Sequence, residues 1–139
     1  MPDKASQVKL FGEVVDKYKD KLTKDPVDTC RGFKIMLHSI HKMKDMRQEI
    51  SQSLGILIPL LISNLQGGSS TLLVSSQLDL LGTLLDLKLL PETERGKTGQ
   101  FIAEGLKSSK DNNMRVVLKG YQSKFSKGKA VSAAGEGVS

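Results

Sequence analysis

Tryptophan is absent from this sequence, and other aromatic residues are few: two Tyr and four Phe among 139 residues, or 4%. A core with so few rings must be aliphatic, and leucine is its main component. The length suits one domain, which buries about two-thirds of its unfolded surface on folding. The sequence therefore predicts a single core held together by leucine side chains.

Cysteine occurs once, at Cys30, which excludes an internal disulfide. Its spacing from Val27 and Phe33 places it on the inward side of a helix, so we expect a buried small hydrophobe and not a nucleophile. The first residues, MPDKASQVK, lack the apolar run of a signal peptide. Both observations favour a reducing compartment inside the cell, cytoplasmic or nuclear.

Charged residues are missing between Ile50 and Leu78, which raises the question of a transmembrane helix. Pro59 and Asn64 interrupt this run, and its densest apolar piece, Leu54–Leu65, is too short to cross about 30 Å of hydrocarbon. We therefore expect no transmembrane span. Binding to an anionic membrane surface is not expected either.

The apolar residues from 50 to 90 form two segments separated by the turn Gly67-Gly68-Ser69-Ser70. This pattern predicts a buried helical hairpin, and apolar spacings of three and four recur on both sides of it. The predicted fold is all-α, with five to six helices in antiparallel hairpins, either a short α-solenoid-like stack or an irregular bundle. The predicted parts are a domain at 1–126, hairpins at about 4–44, 46–90 and 98–126, a polar connector at 92–98, and a disordered basic, glycine-rich tail at 127–139.

Local signals set the expected helix boundaries. The first helix is expected to continue unbroken to Lys24, with Tyr18 facing inward. Asp25 before Pro26 predicts the start of the second helix, because proline at the first helical position loses no hydrogen bond. Pro59 predicts either a kink or a new helix within the third apolar segment.

An internal repeat is suggested by a shift of 43 positions, which aligns Phe11 with Leu54 and Gly12 with Gly55. A period in the low forties with one helical hairpin per copy is typical of α-solenoids. Amphipathic helices also match one another by chance once they are in phase, so the glycine match and the turn spacing carry the additional information.

The segments Leu57-Ile58-Pro59-Leu60-Leu61 and Asn113-Met114-Arg115 resemble HEAT or armadillo-type helical repeats. The first is similar to the proline-containing first helix of such repeats, and the second to the opening of their second helix. No arginine follows Leu73-Val74 in the middle copy, and the first copy has no helix proline. The resemblance implies a scaffold or binding surface and no catalysis.

Candidate catalytic groups do not converge in the sequence. His38 and His41 lie three residues apart on one predicted helix, but a metal needs further ligands and the neighbouring lysines oppose a cation. Asp79 and Asp86 are separated by about 10 Å of helix. The Gly-Gly-Ser-Ser turn lacks the Lys-Ser/Thr of a phosphate-binding loop. We therefore expect no enzyme, no cofactor and no metal site.

Positive charge is concentrated late in the chain, with nine Lys and Arg but two acidic residues between Arg95 and Lys129. Basic residues along one helix face suit the binding of phosphates. The residues predicted to contact nucleic acid or an acidic partner are Lys110, Arg115, Lys119, Gln122, Lys124, Lys127 and Lys129, and a secondary basic stripe comprises Arg31, Lys34, His38 and Lys42.

The sequence as a whole predicts a non-enzymatic protein-interaction or scaffold module that presents a helical binding surface within a larger assembly. The alternative is an RNA- or DNA-associated accessory protein, of the nucleocapsid or ribonucleoprotein type, that binds phosphates through its basic C-terminal third. Because a short stack of hairpins leaves apolar faces at its ends, we also expect a protein partner or self-association.

Overall fold

A computed structural model describes residues 4–43, 46–67 and 70–134, with side chains over 6–43, 46–67 and 70–125. These ranges contain helices and no strand, so the all-α prediction is confirmed. The helices in them are α1 (Lys4–Tyr18), α2 (Lys21–Lys24), α3 (Pro26–Ile40), α4 (Arg47–Gly67), α5 (Thr71–Asp86), α6 (Glu92–Ser108) and α7 (Asn112–Ala134).

Contacts divide the chain into two compact units, Met1–Leu90 and Pro91–Ser139, here called unit 1 and unit 2. Unit 1 contains two helical hairpins, α1 with α3 and α4 with α5. The first helices of the two hairpins pack against each other, and so do the second helices, α3 and α5. That 1–126 folds as one domain stays a prediction.

The core of unit 1 is aliphatic, as the scarcity of aromatic residues predicts. α5 lies deepest, and Val74, Leu78, Leu80, Leu81 and Leu84 are all fully buried along it. Leu80 lies off the apolar stripe of the neighbouring leucines, so α5 is covered on more than one side by α3 and α4. Burying each such side chain contributes about 1.5–3 kcal/mol.

α4 is a single helix through Pro59, so the predicted alternative of a new helix at this proline is wrong. The Pro59 side chain is exposed, while Leu57, Ile58 and Leu61 around it are buried. By length and composition α4 is apolar enough to cross a membrane. Its packing inside unit 1 accounts for that composition, because the core helix of a globular unit needs the same residues.

The first predicted helix is in fact two. α1 ends at Tyr18, and α2 begins at Lys21 after a tight turn in which the N–H of Leu22 donates to the carbonyl of Lys19 at 3.3 Å. Leu22, in α2, is fully buried. Pro26 opens α3 as predicted, although the Asp25 side chain makes no capping hydrogen bond.

The two glycines that the 43-residue shift aligns have different surroundings. A Cβ placed on Gly12 would lie 3.0 Å from the Ser53 hydroxyl, so this glycine lets α1 approach α4 closely. A Cβ on Gly55 would meet nothing within 4 Å. The glycine match therefore has no shared structural cause.

Unit 2 is the hairpin of α6 and α7. α6 begins at Glu92, so the predicted polar connector at 92–98 is wrong. Glu92 and Glu94 lie in its first turn, where acidic side chains stabilise the positive end of the helix dipole. Arg95 and Thr98 are buried, although the polarity of the segment predicts exposed side chains.

α7 begins after Asp111, whose carboxylate accepts a hydrogen bond from the N–H of Asn113 at 2.9 Å. This contact caps the start of the helix. The helix continues to Ala134, beyond position 127 where the sequence predicts that a disordered tail begins. That tail stays a prediction. The rest of the predicted tail, 135–139, lies outside the described residues.

Gln77 is the central polar residue of unit 1 and is fully buried. Its side-chain Nε2 donates to the backbone carbonyl of Leu22 at 2.9 Å and lies 3.9 Å from the Cys30 sulfur. Its Oε1 accepts from the Asn64 amide at 3.3 Å. One side chain on α5 therefore contacts α2, α3 and α4 through polar atoms.

We expect the Gln77→Leu variant to lower the free energy of unfolding by about 1–3 kcal/mol, because the buried Leu22 carbonyl loses its donor. Urea denaturation followed by circular dichroism measures this. Gln52→Leu, at an exposed position of α4, is the matched control and should change stability little. Equal effects of the two substitutions would show that the buried amide has no special role.

Candidate protein-binding groove

An apolar groove of about 450 Å³ lies on unit 1 between α1, α2 and α3. We call it the α1–α3 groove. Val14 and Tyr18 form its α1 side, and Phe33 and Met36 lie on the α3 side. Its other lining residues are Lys21, Asp25, Asp28, Thr29, Gly32 and Ile35.

Two contacts join α1 to α3 beside the groove. The rings of Phe11 and Phe33 pack edge to face, with centroids 6.3 Å apart. Towards the other end of the helix pair, the Ser39 hydroxyl donates to the Gln7 side-chain oxygen at 3.2 Å. A Cβ on Gly32 would meet nothing within 4 Å, so the absence of a side chain here leaves open space.

Large apolar side chains are exposed along this groove. Ile35 is 65% exposed, and Tyr18 is 36% exposed in contrast to its predicted inward position. Leu10 is 52% exposed, and it shares a helix face with Val14 and Tyr18 because these residues are four apart. Exposed apolar surface of this kind commonly marks a place where another protein binds.

Charged residues of opposite sign flank the groove. On the α1 and α2 side, the ammonium groups of Lys17 and Lys21 lie 5.6 and 6.0 Å from the centre of the Tyr18 ring. On the α3 side, Asp25 and Asp28 line the opening, and Asp28 is 3.9 Å from Arg31. The groove therefore has a basic side, Lys17 and Lys21, and an acidic side, Asp25 and Asp28.

The predicted basic stripe on α3 is interrupted. Lys34 turns towards α5 and forms a half-buried ion pair with Asp79 at 2.8 Å. Arg31 approaches Asp28, while His38 and Lys42 are exposed. Lys34 is therefore paired with Asp79, and a binding role for these four residues stays a prediction.

His38 and His41 lie next to each other, with ring centroids 6.1 Å apart. The Nδ1 atom of His41 is 3.0 Å from the backbone carbonyl of His38. Over the part of the chain whose side chains are described, no three His, Cys, Asp or Glu residues come together as a metal site requires.

The predicted phosphate-binding residues of α7 have several roles. The Arg115 guanidinium binds the backbone carbonyl of Leu106 and approaches that of Ser109 at 3.4 Å, so it caps the C-terminal end of α6. Lys110, Lys119 and Gln122 are exposed. Lys124 is half-buried, and Lys127 and Lys129 lie outside the residues whose side chains are described.

Arg95 is one of the nine cations counted in the basic C-terminal third, but its side chain is only 4% exposed. Its guanidinium binds the carboxylate of Glu92 and donates to the backbone carbonyl of Phe125 at 2.6 Å. It therefore joins α6 to α7. Unit 2 also includes Glu92, Glu94 and Glu136, which lowers its excess to nine basic against five acidic residues.

The comparisons with known proteins give no relative. No family model matches the chain, and neither the curated proteins nor the solved structures contain a match. The resemblance to HEAT and armadillo-type repeats stays a prediction.

The pattern of apolar residues alone does not predict the groove. Tyr18 has the spacing of a core residue, and Leu10 and Ile35 carry no functional signal. One signal was present in the sequence: Ile35 lies two residues from both Phe33 and Leu37 and therefore points away from the inward side of the helix that they share. An isoleucine on the polar side of a helix indicates surface apolarity, but a single such residue is common.

Cys30 is 2% exposed, and burial raises the pKa of its thiol from 9.0 to about 12, with Asp79 adding to the rise and Lys34 opposing it. The predicted buried small hydrophobe is confirmed in position. A thiol with so high a pKa carries little thiolate at neutral pH and is therefore a poor nucleophile in the folded chain.

We expect Cys30 of the folded protein to react with a disulfide reagent at pH 8 at least about a hundredfold more slowly than in urea, because the thiolate is the reacting form. Since folding raises this pKa, the stability it provides is complete below pH 9 and decreases towards pH 12. Wild type should therefore lose more stability over this interval than Cys30→Ala, measured by urea denaturation at each pH. Rapid labelling of the folded chain would contradict the assignment.

Proposed function

We propose that this chain is a non-enzymatic protein-interaction module and that the α1–α3 groove is its binding surface. The observation that carries the proposal is the coincidence of an apolar groove with exposed Tyr18 and Ile35 on one pair of helices. A groove between two helices suits the apolar face of another helix, which inserts residues spaced three and four apart. The role in a larger assembly follows from the same exposed surface.

The proposal is supported by the shape of unit 1. One face of the α1–α3 hairpin packs on α4 and α5. The groove on this hairpin is open to solvent. An apolar face that is left open at the end of a stack of hairpins is the kind of surface that a further helical element covers.

Selection of helical peptides from a random library tests this role. We expect the selected peptides to be amphipathic, and their affinity to fall at least about tenfold on Ile35→Glu, because a charge is placed in the apolar contact. Ile56→Glu, at a 47% exposed isoleucine of α4, is the matched control and should retain binding. Peptides that bind both variants equally well would contradict the role of the groove.

The alternative function is nucleic-acid binding through unit 2. Arg115 and Arg95 are engaged with backbone carbonyls, which leaves Lys110 and Lys119 as the exposed cations among the predicted contacts that are described. Two phosphate contacts supply about two units of salt slope, which is little compared with specific binders.

We therefore expect an RNA or DNA oligonucleotide to bind weakly, with no measurable affinity near physiological salt. Fluorescence anisotropy at two salt concentrations measures this. A strong, salt-sensitive signal that is lost in the Lys110→Glu/Lys119→Glu double variant would assign the function to unit 2 instead. Wild type and Ile35→Glu should behave alike in this assay.

A further inference from the structure

We propose that the occupant of the α1–α3 groove is the same groove of a second copy of this chain. This inference rests on the proposed role of the groove and names its partner. The charges of the groove and the register of its helices support this occupant. A surface that carries one basic and one acidic side can match itself when a two-fold axis brings opposite sides together.

The register of α1 against α3 follows from two contacts. Gln7 lies opposite Ser39, and Phe11 lies opposite Phe33. Residues at about equal height along the antiparallel pair are therefore Leu10 with Ile35 and Lys17 with Asp28. Lys21 and Asp25 lie at the turn end of the hairpin, one turn of α2 apart, where the N–H of Asp25 donates to the carbonyl of Lys21 at 2.8 Å.

A two-fold axis parallel to the groove keeps this height and exchanges the helices, so that α1 of each copy faces α3 of the other. Lys17 of one copy then faces Asp28 of the second, and Lys21 and Asp25 of the two copies meet at the turn end. At the other end Leu10 of one copy covers Ile35 of the second. The two apolar residues that are more than half exposed on this hairpin face thus find apolar partners, and the cations find carboxylates.

A rotation axis perpendicular to the groove gives a poorer match. It reverses the direction of the helices, so the charged turn of each copy would lie over the Leu10 and Ile35 end of the other. Charges that lose water against apolar side chains are destabilising. The parallel axis is therefore the favoured one.

The size of this face predicts a dimer of modest affinity. Each helix has 15 residues, so the face is about 22 Å long at 1.5 Å per residue and about 20 Å wide. An area of about 440 Å² per copy lies below that of a standard stable interface. We therefore expect dissociation in about the micromolar range, with partial dimer at lower concentration.

Charge reversal on the full chain tests the arrangement. One variant carries Lys17→Glu and Lys21→Glu, which makes both sides of its groove acidic. The other carries Asp25→Lys and Asp28→Lys, which makes both sides basic. Each alone should dimerise at least about tenfold more weakly than wild type, because like charges now face each other across the axis.

Mixing the two variants in equal amounts should restore the dimer to within about threefold of wild type, since each acidic side again faces a basic one. Sedimentation velocity with one variant enlarged by a fused tag identifies the mixed dimer. Ile35→Glu should abolish the wild-type dimer, and Ile56→Glu should preserve it. Circular dichroism on every variant confirms that the helices are retained.

Three outcomes would overturn the inference: a wild-type chain that is monomeric up to about 1 mM, the upper limit of weak association; charge variants that dimerise as well as wild type; or a mixture that stays monomeric. Peptide binding that remains sensitive to Ile35→Glu in a monomeric chain would remove the second copy as occupant and leave the protein-interaction role intact.

Discussion

The backbone carbonyl of Leu22 sets the constraint on which the rest of unit 1 depends. An aliphatic core has almost no polar groups of its own, so a carbonyl that enters it needs a dedicated donor. Gln77 provides that donor from α5, and its other contacts reach α3 and α4. An amide of the core helix therefore helps to stabilise the segment that follows the break between α1 and α2.

The break follows Tyr18, which lines the groove together with Lys21, Asp25 and Asp28. The aliphatic interior supplies stability, and the buried rings of Phe11 and Phe33 pack edge to face between α1 and α3.

Periodicity was sufficient to predict the helical class and the main buried positions, because leucine spacing depends on local geometry alone. The sequence did not predict that 92–98 is helical, because the segment is as polar as a loop. Only the structure shows that Arg95 is paired with Glu92 and with a carbonyl of α7. The sequence likewise did not predict that Lys34 and Arg115 are engaged by groups within the protein. A charge count cannot tell a free cation from one whose partner lies 45 residues away, as Asp79 does from Lys34.

The absence of tryptophan has an optical consequence. Tyr18 lies in the groove and Tyr121 lies in unit 2, and they are the chain's two tyrosines. Because no indole emission masks them, their ultraviolet fluorescence is observable directly. In a chain with phenylalanine at position 121, the remaining phenol would act as an intrinsic spectroscopic reporter of whatever covers the hairpin, without any attached dye.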